Sequence, residues 1–359
     1  MINRVLKFPF YAKASMILIG LYVLILILYT LKSIIVPLIF AMIIAMVLNP
    51  VVNSFARVKI NRVVAILMSI LMVFLIAAAL FFLLFTQASS FSDSWPSLVD
   101  KSTEVFNQSI TWISSYFDVN PDTIHNWILK TKNDLLKFSN TAIEATLLSV
   151  GSMLMILVLV PVYVYLLLYY KSHLREFIFR LFGPVHESKV GEVITQTEIV
   201  IQHYLIGLLI EAVIIATLNS IGLLILGIDY AIMLGIIGAL LNVIPLIGGI
   251  VAVALPMMVA LATKSSGVYA LYVLGIYYTI QMIDNHYVIP TIVASKVKIN
   301  AFISIVIILL GNALWGISGM FLSLPILAIV KIIFDHIKPL EAWGFLLGND
   351  AGEDKKSKT

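Results

Sequence analysis

The sequence predicts an all-α polytopic membrane protein with about six full transmembrane helices and two broken, re-entrant hairpins forming an inverted repeat. Composition is the first reason. Mean hydropathy is +1.05; 61% of residues are hydrophobic and 12% charged, more apolar surface than a soluble domain of this length can hide. Segmentation is the second: apolar runs of helical length alternate with short basic loops, and the two-residue alternation of a membrane barrel is absent. Third, two long apolar runs in the second half are interrupted near their middles by polar residues, Gly and Pro.

The N-terminal part, residues 1–86, reads as three spans. Arg4, Lys7 and Lys13 precede an apolar run over 14–31 with no small-residue cleavage site after it, which predicts an uncleaved first helix. A second span follows over about 34–55, with Pro37 in its first turn, where proline is tolerated. A loop bearing Arg57, Lys59 and Arg62 leads to the third, over 63–86. Residues 87–143 are polar and of mixed charge. Leu98, Val105, Phe106, Ile110, Ile113 and Phe117 recur at helical spacing, and Asn120-Pro121-Asp122 has the form of a cap opening another helix. Two amphipathic helices outside the bilayer are expected there.

A fourth span over 147–170, kinked at Pro161, and a charged connector split at Gly183-Pro184 make up residues 144–203. The transport core is expected over 204–334, and a cytoplasmic tail over 335–359. In that core each interrupted run follows a simple helix. The span over 204–226 precedes residues 231–262, an uncharged stretch broken at Asn242-Val243-Ile244-Pro245 and Gly248-Gly249. The span over 268–283 precedes residues 299–334, broken over Leu310–Gly319, which contains Gly311-Asn312, Trp315-Gly316 and Gly319. Paired Gly/Pro-broken segments at matching places in two halves point to a transport site at a repeat interface. Irregular backbone at membrane depth survives only inside protein or beside a wet cavity.

Basic residues set the orientation. With cytoplasmic N- and C-termini and hairpins that return to their own side, 17 of the 23 Lys and Arg face the cytoplasm; with full crossings the split is 16 to 7. Charge therefore fixes the orientation and leaves hairpin against crossing to helix length. Each half-run is short for a span, which favours hairpins.

Candidate binding residues are Asn242, Pro245 and Gly248 at the first break, Asn312 at the second, and Gln281, Asp284 and Asn285 at the end of the last simple helix. On a regular helix Gln281 shares a face with both Asp284 and Asn285. Glu211 is the only carboxylate well inside an apolar run. It costs several kcal/mol to keep charged in such surroundings, which makes it the candidate for proton or sodium coupling. A packing role beside Asn219 or His203 is the alternative.

Other chemistries find little support. There is no cysteine, so thiolate metal sites and nucleophiles are excluded. Gly316-Ile317-Ser318-Gly319 has the form of an intramembrane serine protease motif, but no histidine base lies in mid-span. P-loop, H-E-x-x-H and dinucleotide motifs are missing, so no cofactor, no metal site and no catalytic residue are expected, and any pumping must be gradient-driven. The net charge of +4 is explained by topology and requires no nucleic acid.

Leu241-Asn242-Val243-Ile244-Pro245-Leu246-Ile247-Gly248 resembles the N-x-I-P-x-I-G signature of the autoinducer-2 exporter (AI-2E) family of bacterial membrane transporters. Gln281, Ile283, Asp284, Asn285, Pro290 and Ile292 resemble its second signature in order and spacing; Gly311, Trp315-Gly316, Gly319 and Pro325 match its third. The polar insert after the third helix has the family's place too. The resemblance implies an inner-membrane transporter with re-entrant hairpins, in a family with pentameric members. Some members export autoinducer-2 and others exchange sodium for protons. Departures cluster at the breaks: Gly249 stands where the family has proline, and Ala294, Lys298 and Ala301 replace Gly, Gly and Pro.

The expected function is secondary transport, by alternating access, of a small polar solute or signalling molecule resembling autoinducer-2, directed outward. Sodium or lithium/proton antiport is the alternative. A membrane-anchored receptor or assembly protein acting through the polar insert is the alternative from another class. The expected partners are the solute or ion, the lipid bilayer and further copies of the same chain.

Overall fold

The computed structural model describes residues 9–117, 126, 130–132, 157–243, 248–264, 266–293 and 299–348. Helix accounts for nearly all of them, and the described chain makes one isolated β-bridge, between Ile299 and Gly348. Five helices are long and apolar enough to cross a membrane, and a bent pair adds a sixth. The all-α polytopic architecture predicted from composition is the one found.

Helix α1 (Phe10–Thr30) and α2 (Lys32–Arg57) meet at Leu31, whose N–H donates to Ile27. Among the described residues, none of the α1 side chains is fully buried, and its main contacts are with α2 and a later helix, α10. α3 (Arg62–Phe117) differs from expectation. It continues through Thr86 and Gln87 as one helix of 56 residues. No glycine or proline lies between Arg62 and Trp95, so nothing in the backbone stops the helix where the apolar run ends. The first of the two helices expected in the polar insert is thus the far end of the third span. The second lies outside the described residues.

α4 (Leu157–Tyr169) ends in a 64° bend into α5 (Lys171–Phe182). After Gly183, which adopts φ +73°, and a single 3-10 turn, α6 (Glu187–Ile225) runs for 39 residues. The second piece of the charged connector is therefore continuous with the fifth span. α6 is the spine of the core. Glu211, Ile215, Asn219 and Leu223 recur every four residues along its buried face.

α7 (Ala231–Asn242) doubles back onto α6 after Tyr230, which sits in the left-handed region at φ 58°. The approach is close: a Cβ on Gly235 would stand 2.6 Å from the Ser220 amide nitrogen, so only glycine fits. α8 (Gly248–Thr263) packs against α7 rather than extending it, and against α9 (Val268–Ile283). Leu223, Met233, Leu234, Val259 and Val273 form the core shared by these helices, each no more than 1% exposed.

Helix α9 passes directly into a π-helical segment, Asp284–Val293. α10 (Ala301–Trp315) and α11 (Ile317–His336) form a tight antiparallel pair about Gly316, at φ 63°. Ser323 of α11 donates to the Ile307 carbonyl of α10 at 3.0 Å, and a Cβ on Gly311 would collide with the Ser323 hydroxyl and the Gly319 carbonyl. The ends of α10 and α11 away from Gly316 lie together: Asn300 N–H donates to the carbonyl of Leu347 in α12 (Glu341–Leu347), which packs on α11. α11 is longer than a half-run was expected to be. Its 20 residues suffice to cross a bilayer.

Candidate functional site

The two sequence features that drew attention first meet in space. Asn242 ends α7, and Asp284 opens the π-helical segment; the Asn242 Nδ2 donates to Asp284 Oδ2 at 2.9 Å. Both positions follow from local structure. The α7 helix stops at the Asn-Val-Ile-Pro sequence, and α8 restarts so close behind that a Cβ on Gly248 would lie 2.8 Å from the Asn242 Cα. Gly248 is therefore required by the geometry of the break. Pro245 lies outside the described residues. At Asp284 the backbone changes from α to π, a form that recurs at functional sites, and Asp284 is turned fully inward at 0% exposure.

A cavity of about 250 Å³ opens beside this pair, lined by Asn219, Gly238, Asn242, Gly249, Tyr277 and Gln281 among others. Its wall is mostly apolar with a few convergent polar groups, the usual make-up of a small-molecule site. Gly238 keeps it open: a Cβ there would stand 3.3 Å from both Asn219 Nδ2 and Tyr277 Oη. Gln281 Oε1 approaches Gly249, with 3.8 Å to the position of an added Cβ.

Three buried polar atoms find no hydrogen-bond partner among the described residues: Asn219 Oδ1, Tyr277 Oη and Asp284 Oδ1. Native interiors satisfy nearly all such atoms, and each exception calls for a reason. Here all three belong to one neighbourhood, since Asn219 and Tyr277 line the cavity and Asp284 is bonded to its wall. Glu211, 5% exposed, sits two turns before Asn219 on the same face of α6 and within Coulombic range of Asp284. His203, offered by the sequence as a partner for Glu211, is exposed.

The remaining candidates lie elsewhere. Asn285 is exposed, because the π-helical geometry that buries Asp284 removes the regular i, i+4 relation to Gln281. Asn312 sits inside α10 with an exposed side chain, and its carbonyl accepts from Gly316 N–H. The second break is a single residue, Gly316, and it leaves Asn312 helical. Asn219 and Tyr277 were not singled out as binding residues from sequence. Both carried a signal: Asn219 falls eight residues after Glu211, and Tyr277 four before Gln281, each on the face of its neighbour. Among the described residues no three His, Asp or Glu side chains gather in a way that would hold a metal ion.

Comparison with known proteins places the fold in a family. The profile described as AI-2E family transporter matches residues 15–338. The chain belongs to that family. It is a multi-pass membrane transporter. A Bacillus subtilis (strain 168) protein named "Putative transport protein YrrI" is 22% identical over 256 residues, 70% of this chain and 71% of that protein. The Escherichia coli (strain K12) protein named "Putative permease PerM" is 22% identical over 205 residues, 56% of this chain and 58% of that one. A "Putative transport protein" of Borreliella burgdorferi reaches 30% identity over 129 residues, 36% of each chain. In this AI-2E family member, the break at Asn242 and the turn at Asp284 are joined by one hydrogen bond.

Proposed function

We propose that this AI-2E family member is a gradient-driven secondary transporter that binds a small polar solute of the autoinducer-2 type in the Asn242–Asp284 cavity and exports it by alternating access. The observation that carries the reading is the group of polar atoms without a partner among the described residues: Asn219 Oδ1 and Tyr277 Oη belong to residues that line the cavity, and Asp284 Oδ1 to the carboxyl bonded to the lining residue Asn242. A polar ligand supplies the missing hydrogen bonds. The α7/α8 pair acts as a re-entrant hairpin and the α10/α11 pair as its counterpart in an inverted repeat, α11 being long enough to cross, in the cytoplasmic membrane with both termini inside. α1, which has no fully buried side chain among the described residues, offers a surface for a homo-oligomer such as the pentamers of the family.

A second reading has its own support. Glu211 and Asp284 are buried carboxylates on packed elements, an arrangement suited to exchanging a monovalent cation for protons. The same experiment tests both. Purified protein is reconstituted in vesicles holding a pH dye, and sodium or lithium is applied to wild type and to Glu211→Gln. Proton movement in wild type that is lost in the variant assigns antiport with coupling at Glu211. A flat trace in wild type removes antiport; flux of radiolabelled autoinducer-2 that falls at least tenfold in Asn242→Ala and Tyr277→Phe, while Asn285→Ala and Asn312→Ala transport normally, is then the expected result. Unchanged solute flux in all four variants would sink the proposed site.

A further inference from the structure

A different cleft lies where α2, α4, α5 and α6 meet. It has an apolar part of about 310 Å³, lined by Met42, Ala45, Leu167, Leu174, Ile178 and Ile194 among others. It also has a polar part of about 340 Å³, lined by Asn53, Ser54, Arg57, Thr195 and Gln202. The two adjoin at Asn49 and Glu198, which line both. Such a site is amphipathic by construction, with an apolar trough opening into a polar mouth.

Its level in the membrane can be read from the surrounding residues. α4 ends in Tyr165, Tyr169 and Tyr170, whose rings pack in series, as aromatic side chains do at a headgroup boundary. There the chain turns 64° into α5, whose Leu174, Phe177, Leu181 and Phe182 stay exposed while Lys171, Arg175 and Arg180 share the same short helix. This is the composition of a helix lying in the plane of the interface. Arg62 Nη2 donates to the Leu168 carbonyl at 3.0 Å, which brings the start of α3 to the same level.

Charge then selects the occupant. Lys171 is engaged by Glu198 at 2.9 Å. Arg57 and Arg175 make no ion pair with any described residue; Arg175 rests over the Phe179 ring at 5.5 Å. Arg57 lines the polar part and Arg175 the apolar part, so the cleft presents two cations that no described carboxylate pairs. We propose that this cleft is a binding site for one anionic phospholipid, its phosphate held by Arg57 and Arg175 and an acyl chain laid along Met42, Leu174 and Ile194. The site is separate from the Asn242–Asp284 cavity and does not depend on the transported solute.

The test uses full-length, delipidated protein in detergent, titrated by native mass spectrometry with phosphatidylglycerol, phosphatidylcholine or glycerol phosphate. Each cation near a membrane surface changes binding about fivefold, so Arg57→Gln with Arg175→Gln is expected to weaken phosphatidylglycerol about 25-fold, to the level of phosphatidylcholine. Both residues are exposed, so the double variant keeps its fold, checked by its elution volume. Ile194→Trp, which fills the trough, is expected to remove both lipids. Equal binding of the two lipids by wild type, or a charge variant that retains the preference, overturns the proposal. So does glycerol phosphate competing as well as the lipid, which would mark a free-anion site, or a change of oligomer mass in place of lipid binding, which would mark an interface between copies.

Discussion

Asn242 and Asp284 offer the sharpest quantitative test of the site. Asp284 is fully buried, its Oδ2 accepts from Asn242, and its Oδ1 has no partner among the described residues. The bond at 2.9 Å is thus the one described contact that offsets the desolvation of the carboxyl group. A hydrogen bond to a charged group contributes about 1.5–3 kcal/mol, and a partner left buried and unpaired costs a similar amount. Asn242→Ala should therefore destabilise the protein by about 2–3 kcal/mol. Asp284→Ala removes the buried carboxyl itself and should cost less than that. The double variant should resemble Asp284→Ala, which makes the coupling between the two positions equal to the cost of Asn242→Ala, about 2–3 kcal/mol. Equilibrium unfolding in mixed micelles of wild type, both single variants and the double variant measures it. Distant, independent sites add to within about 0.5 kcal/mol, so a coupling below that value would show the bond contributes nothing and refute the reasoning.

Two further outcomes follow from the packing. Gly311→Ala places a methyl group against the Ser323 hydroxyl and the Gly319 carbonyl, so the α10/α11 pair must open; a loss of about 1–3 kcal/mol is expected by thermal unfolding, while Gly275→Ala inside α9, with nothing within 4 Å, should lose no stability and serves as control. Trp315→Phe removes the Nε1–H donated at 3.0 Å to Leu28 in the last turn of α1, where carbonyls lack intrahelical donors; a loss of about 1 kcal/mol and faster proteolytic release of α1 are expected, and an unchanged cleavage rate would show that this contact does not hold α1.

The architecture was legible in the sequence wherever backbone chemistry was local. Asn-Val-Ile-Pro followed by Gly-Gly stops one helix and starts another within a few residues, and the structure ends α7 at Asn242 and begins α8 at Gly248. The polar residues after Thr86 do end the apolar span, which runs over Arg62–Ala88, but polarity changes which solvent a helix meets and does not end the helix, so α3 runs on. The second break was read as wide because Gly311, Gly316 and Gly319 lie close together. Only Gly316 turns the chain, while Gly311 and Gly319 are small so that the two helices can touch. At the candidate site, Asp284 and Gln281 stood out as polar residues in an apolar run. Asn285 was placed on their face by α-helical periodicity, which the π-helical segment does not obey. Tyr277 and Asn219 were harder to see. Their polar atoms matter because of what fails to bond to them, and that is a property of the packed state rather than of the sequence.

The length of α3 has a mechanical consequence. A helix of 56 residues is about 84 Å long at 1.5 Å per residue; it runs well beyond the apolar run and carries Pro96 between its two contacts with the first broken pair. Beyond that run, Ser94 shares a hydrogen bond with Tyr230 at the start of α7, and Ser102 donates to the Met258 carbonyl of α8 at 3.2 Å. A pull on the outer end of this lever reaches both arms of the first broken pair with no loop between to absorb it. Anything that grips the far end of α3 is therefore geared to the cavity at Asn242.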